Sequence, residues 1–347
     1  MEALGAELRH SISQPPWHGQ TIETIYFGGG TPSLFAPESF ARLLTLVGEL
    51  VPLTEDAEIT LEADPATVTP EKLCGYHTLG INRLSVGVQS FQPSLLKILG
   101  RIHTSEDAHQ TLTWARAAGF VNLSMDVIFA VPGQTVAMLA DDLSLAHSHA
   151  LEHISTYNLT YEENTPFFVM RKKGQLQPIA EDEEVAMYAL IQEHCAASGY
   201  QHYEISSFAR PGFFARHNAN YWKGVSYLGL GAGAHSFSTV SEWGTRWSNE
   251  RSPRRYIEKA LKHGEAKTVV ETLTRTQAMG EFVFLRLRQL QGFAPAAFAE
   301  RFGVGFDKQF PHVADLLAEG LLTLGAGIIR LSPQGLLIAD TIFASFM

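Results

Sequence analysis

Cysteine is scarce: Cys74 and Cys195 are the only two in 347 residues. That scarcity excludes a disulfide scaffold, and both thiols are expected to serve as buried small hydrophobes. Charge is also sparse, at 18% of residues against 45% apolar, and the formal net charge is -10. An acidic chain lacks the broad positive surface that nucleic-acid backbones require. Two short basic runs, Arg171-Lys172-Lys173 and Arg251 to Arg255, read as solvated faces. No apolar run reaches the roughly 18 to 20 residues of a membrane span. Met1 to Leu8 has neither the basic start nor the long apolar stretch of a secretory signal. The expectation is a cytoplasmic globular protein, with peripheral attachment to a membrane surface left open.

What the chain does have is alternation. Thr21 to Phe27 reads as a strand running into Gly28-Gly29-Gly30, and Pro37 to Leu50 as a helix with apolar residues three and four apart. Strands follow at Glu58 to Glu62, Arg83 to Val88, Val121 to Ile128, His153 to Leu159 and Gln201 to Ile205. Helices separate them at Ser105 to Ala118, capped by Ser105, then Val136 to His149 and Glu181 to Ser198. A Pro/Gly-containing excursion spans Glu163 to Pro178. Strands separated by such helices imply an α/β fold of right-handed parallel units, closed or partly closed into a barrel. Beyond Phe208 the texture changes: Gly224 to Gly233 is glycine-rich and His235 to Asn249 aromatic and polar. Helical character returns at Thr274 to Leu290, and the end of the chain suits a small helical domain with a short hairpin, such as a winged helix. The expected division is 1–208, a partial barrel, 209–270, a linking region, and 271–347, a winged-helix-like domain.

Three glycines directly after a strand let the backbone approach a ligand closely, although a tight turn explains them equally well. Glu62, Gln89, Arg101 and Asp126 recur near successive strand ends. Together they suit an ammonium, a carboxylate and a ribose; singly, each reads as a cap or a surface ion pair. His217-Asn218-Ala219-Asn220-Tyr221-Trp222 concentrates an imidazole, two amides and two large rings. Such a surface can stack on a flat macrocycle while the imidazole approaches a metal; the alternative is a loop packed on the barrel mouth. His235 is a second axial-ligand candidate or a loop-orienting residue. His153, Tyr157, Tyr203 and Glu204 favour structural packing.

The ordered motifs resemble the radical S-adenosylmethionine (SAM) coproporphyrinogen III oxidase-like family, and within it the HemW group of heme chaperones. The resemblance rests on Phe27-Gly28-Gly29-Gly30-Thr31-Pro32-Ser33, Asn82-Arg83-Leu84-Ser85 with Gly87-Val88-Gln89-Ser90-Phe91, and Leu99-Gly100-Arg101 with His103. It continues through Val131-Pro132-Gly133-Gln134-Thr135, Tyr203-Glu204-Ile205-Ser206 and His217-Asn218 to Tyr221-Trp222. It implies that Gly29, Gly30 and Thr31 receive the methionine part of SAM. Glu62, Gln89, Arg101 and Asp126 would contact that part or the ribose, and the backbone near Ile128 the adenine. His217 becomes the leading heme contact.

The same resemblance implies a radical-SAM-type (β/α) barrel, here without its first strand and its trio of cluster-binding cysteines. Two cysteines cannot supply three ligands, so a [4Fe-4S] cluster and SAM are expected only for a longer family form. The implied function is heme binding and transfer to acceptor proteins, including membrane-associated respiratory enzymes, with no nucleic-acid partner and homodimerisation allowed. The alternative is oxygen-independent oxidative decarboxylation of coproporphyrinogen III, and whether the chain is an enzyme stays open between them.

Overall fold

Alternating β-rich and helical segments build a seven-stranded sheet in the order β1-β2-β3-β4-β5-β7-β6. The computed structural model describes residues 1–163 and 165–347. The sheet comprises β1 (Ile22–Phe27), β2 (Leu53–Ala63), β3 (Arg83–Gln89), β4 (Leu123–Phe129), β5 (His153–Asn158), β6 (Gln201–Glu204) and β7 (Ser207–Ala209). β2 to β5 pair in parallel, with Glu62 opposite Ser85, Ser85 opposite Ser124, and Ser124 opposite His153. Side chains alternate along a strand, and a parallel register keeps paired residues on one face. Those four residues therefore form a polar row across the sheet, and Asp126 with Ser155 begins the next row.

The opposite parity is apolar. Leu84, Val86, Leu123 and Met125 are fully buried, as are Leu139 and Leu143 of the helix Val136–Ser148. Burial of each such side chain stabilises the fold by roughly 1.5–3 kcal/mol. The architecture is a partial barrel whose strands carry polar groups on one face and a packed core on the other.

Four sequence expectations are corrected. The sheet is not parallel throughout, because β7 pairs antiparallel with both β5 and β6. Only Ile205 and Ser206 separate β6 from β7, too few for the crossover of a dozen or more residues that a parallel partner needs. The helix Ser105–Ala117 is capped by Thr104 rather than Ser105. The Thr104 side chain accepts from the Asp107 N–H while Asp107 accepts from the Thr104 N–H, a complete capping box. The excursion after Glu163 contains a helix, Pro166–Lys172, started by Pro166 and capped by Thr165; Asn164 within it lies outside the described residues. Finally, Cys195 is buried but Cys74 is exposed, because the helix Pro70–Thr78 turns Leu73 and Tyr76 inward instead.

The chain divides into two compact units, one of Thr24–Pro37 with Glu58–Ala215 and one of Met1–Glu23, Glu38–Ala57 and Arg216–Met347. The second contains an antiparallel sheet of β8 (His235–Ser238), β9 (Thr245–Asn249) and β10 (Lys267–Thr272), and a hairpin of β11 (Leu322–Gly325) and β12 (Ile328–Leu331). The aromatic and polar stretch His235 to Asn249 is thus mostly sheet. Near the hairpin, Phe282, Phe293, Phe298, Phe302 and Phe306 pack edge-on or tilted, with centroids 4.8–5.7 Å apart, the arrangement favoured by the ring quadrupole.

Candidate functional site

The loop after β1 is built around Glu62. Tyr26 donates its hydroxyl to Glu62 Oε1 at 2.8 Å, and the Gly29 N–H donates to Oε2 at 3.1 Å. A Cβ on Gly28 would lie 2.6 Å from the Tyr26 ring and 3.0 Å from Glu62 Oε1, so position 28 has no room for a side chain. Gly29 and Gly30 face open space but have φ of +83° and +65°, which favours glycine for backbone reasons. One carboxylate thereby ties Tyr26 to the middle of the glycine turn.

The next residues are pinned from below. Ser33 Oγ accepts from the Asp64 N–H at 3.0 Å and shares a hydrogen bond with Thr67 Oγ1 at 2.6 Å. Lys72 Nζ donates to the Ser33 and Thr67 carbonyls, each at 2.9 Å, and the Tyr76 hydroxyl to the Phe35 carbonyl at 2.6 Å. Lys72 and Tyr76 lie one turn apart on the helix Pro70–Thr78. The sequence signal for these anchors was weak, because a lysine and a tyrosine on an amphipathic helix read as ordinary surface and core.

Asp126, in the second polar row, accepts from Ser85 Oγ at 3.3 Å. Burial pushes its carboxyl up to about 6, against the lowering influence of Ser155, Arg83 and Ser85, while Glu62 adds to the rise. Arg83 is 2% exposed at the foot of β3 and supplies the compensating positive charge. The Tyr26 phenol is raised far above its ordinary value by burial and by Glu62. Glu62, Asp126, Tyr26 and Arg83 thus form one electrostatic group, of which the sequence analysis gave a ligand-contact role only to the two carboxylates.

Gln89 ends β3 with φ of +66° and is buried, and the pairing with β4 shifts register between Val86 and Gln89. Its amide nitrogen lies 3.0 Å from where a Cβ on Gly87 would be, so Gly87 leaves the space that the folded-back side chain uses. Ile128 is half-buried on β4, opposite Tyr157 of β5. Thr31 is half-buried at the end of the glycine turn, and Arg101 is exposed after the helix Pro93–Ile98. Close to Arg101, His103 is buried: Nε2 lies 3.1 Å from the Val88 carbonyl and Nδ1 3.9 Å from Asp64 Oδ1. The structure brings Gly29, Glu62 and Asp126 together as one group; among the described residues, the side chains of Arg101 and Ile128 make no hydrogen bond or ion pair with it.

His153 is buried and bridges Ser124 Oγ and the Tyr203 hydroxyl, each at 2.8 Å. Burial holds its imidazole well below the usual histidine range. It is a neutral relay in the first polar row, in keeping with a packing role. His217 belongs to the other compact unit, on the helix Arg216–Trp222, so its motif is helical rather than a loop. Its Nε2 is 2.9 Å from the Tyr221 hydroxyl, and the rings meet edge to face at 5.1 Å. Tyr227 packs against Tyr221 at 4.6 Å, and burial pushes the Tyr221 phenol up to about 12, keeping it protonated. His235 is exposed at the start of β8.

The glycine turn offers backbone N–H groups, and the Glu62–Asp126 pair offers a desolvated negative wall. That combination fits a ligand bearing an ammonium, a carboxylate and a cationic centre, as SAM does. The two cysteines do not fit a [4Fe-4S] cluster. Burial pushes the Cys195 thiol up to about 12, away from the thiolate a cluster needs, and Cys74 stands exposed on a different helix.

Residues 16–146 match the model of the radical SAM superfamily, and residues 273–338 that of the HemN C-terminal domain. The chain is 34% identical over 350 residues to the heme chaperone HemW of Bacillus subtilis, covering 100% of this chain and 90% of that protein. It is 34% identical over 332 residues to the heme chaperone HemW of Escherichia coli, covering 95% and 85%. A mouse protein, radical S-adenosyl methionine domain-containing protein 1, mitochondrial, is 33% identical over 94% of this chain and 76% of its own length. Among solved structures, coproporphyrinogen III oxidase (HemN) from Escherichia coli superposes with a TM-score of 0.82 at 23% identity, covering 99% of this chain and 82% of that one. That likeness defines the fold.

Proposed function

This chain belongs to the HemW family of radical SAM proteins, and from that membership we propose that it binds heme and passes it to acceptor proteins. The reading is carried by the match to proteins named heme chaperones along the whole chain. The helix Arg216–Trp222 supports it chemically. It presents a half-buried imidazole, a phenol kept protonated by burial and a tryptophan within two turns. Iron ligation by His217 Nε2 would require the Tyr221 side chain to swing away from it. Among the described residues no helix is long and apolar enough to cross a membrane, so delivery to a membrane-associated acceptor would use surface contact.

The second part of the reading concerns SAM. Gly29, Gly30, Thr31, Glu62, Gln89, Arg101, Asp126 and the backbone at Ile128 would surround it, with the Glu62–Asp126 pair facing its positive charge. In a family form that also carries the electron-donating cluster, SAM would supply a carbon radical able to abstract hydrogen. Here this chain's own residues bind and orient: Glu62 fixes the glycine turn, and Arg83 limits the repulsion between the two carboxylates.

Heme titration followed by absorbance, with wild type and His217→Ala, tests the proposal. Wild type is expected to bind and to transfer heme to an apo-acceptor. The alanine variant should bind at least about tenfold more weakly, with an altered visible spectrum. No heme binding by wild type overturns the function; unchanged spectrum and affinity in the variant overturn the role of His217. Conversion of coproporphyrinogen III by the same preparation would instead favour the decarboxylating enzyme.

A further inference from the structure

The second compact unit contains a groove to which the His217 motif contributes only its last residue, Trp222. Trp222, Phe237, Trp243 and Phe282 form its aromatic walls, and Arg286 and Arg301 supply its cations. The guanidinium carbons of Arg286 and Arg301 lie 5.3 and 5.9 Å from the same Phe282 centroid, and Arg301 is also 5.4 Å from that of Phe302. Neither arginine has a carboxylate within ion-pair distance among the described residues; Arg286 reaches only the Lys223 carbonyl, at 3.3 Å. Burial lowers both arginines' proton affinity, and the Arg301 charge lowers that of Arg286 further. Glu281, which also lines the groove, is already engaged by Arg246 at 2.7 Å.

Arg286 is half-buried and Arg301 exposed, and two neighbouring guanidiniums without counter-ions favour an arriving anion. The same groove holds an unused donor, since Trp222 Nε1 is buried with no acceptor among the described residues. Flat aromatic walls favour a planar apolar body, and the cations and the indole N–H favour carboxylate oxygens. We propose that Arg286 and Arg301 bind the two propionate carboxylates of a porphyrin whose ring edge lies against Trp222 and Trp243. The inference rests on the heme reading above and assigns the propionate end of that ligand to a second set of residues, on the helices Arg275–Leu287 and Pro295–Phe302.

The test compares heme, heme dimethyl ester and metal-free protoporphyrin on the full chain, read by absorbance and tryptophan quenching. Capping the propionates should weaken binding to wild type by about tenfold or more, with or without the metal. Arg286→Gln/Arg301→Gln should weaken heme and protoporphyrin alike and bind ester and acid equally. Arg286→Lys/Arg301→Lys, which keeps the charge but loses the planar fork, should fall between. The ester comparison on wild type needs no variant and survives any misfolding of the glutamine pair. Equal binding of ester and acid by wild type overturns the groove while leaving the heme reading intact. Binding of neither porphyrin overturns both. An effect of the glutamine pair on heme but not on metal-free protoporphyrin also overturns the groove, since carboxylate recognition does not depend on iron.

Discussion

Asp126 holds its proton to about pH 6 because burial disfavours the carboxylate more than Ser155, Arg83 and Ser85 favour it. The unfolded chain releases that proton near the ordinary aspartate value of 3.8. Between these two values the folded state binds more protons, so stability falls as pH rises through that window. Asp126→Asn removes the buried charge. It should raise stability at pH 7 by about 2–3 kcal/mol relative to wild type, with the advantage shrinking toward pH 4. Urea unfolding at the two pH values checks this, and a variant equally destabilised at both would refute the desolvation account. A wild type that tolerates this cost is consistent with a carboxylate retained for binding rather than for folding.

Within single elements, the turn after β1 separates two uses of glycine. Gly28→Ala collides with Tyr26 and Glu62 and should cost about 1–3 kcal/mol by overpacking, with loss of the Glu62–Gly29 hydrogen bond. Gly29→Ala meets open space but a φ of +83°, so it should cost only about 1 kcal/mol. Thermal unfolding separates them: Gly28→Ala should lose clearly more stability than Gly29→Ala, and equal losses in both variants would contradict the steric argument. Much of this element was legible in advance. Strand, glycine turn and Glu62 follow from β-branched runs, consecutive glycines and a strand-end acid. Lys72, Tyr76 and Arg83 were not legible, because their partners are main-chain carbonyls and a neighbouring strand's carboxylate, and no local spacing encodes those. The β6–β7 hairpin was missed for a related reason: Tyr203-Glu204-Ile205-Ser206 lacks the glycine or asparagine that usually marks a two-residue turn. Thr104 lost its capping role to Ser105 in the sequence reading because adjacent hydroxyls are indistinguishable until the backbone is known.

At the scale of the whole molecule, residues far apart in sequence converge on Glu7. It is 3% exposed and accepts from the Gly231 N–H at 2.9 Å, the Asn249 amide at 2.5 Å and the Tyr256 hydroxyl at 2.5 Å. Burial raises its proton affinity despite those donors. Glu7→Ala removes an acceptor shared by three donors, of which Asn249 keeps the Gly231 carbonyl at 3.0 Å, and should cost about 3–5 kcal/mol by denaturant unfolding, with Glu7→Gln losing clearly less. A cost below about 1 kcal/mol would show that the first helix is not tied to the later segments through this carboxylate. The contrast between the two cysteines has a practical meaning at the same scale. With Cys195 sealed and held protonated, thiol chemistry on the native chain is confined to one address, Cys74. That address lies on the same helix as Lys72 and Tyr76, the two side chains that grip the loop following the glycine turn. A fluorophore there would be a built-in reporter of whether that grip loosens or tightens as a ligand arrives.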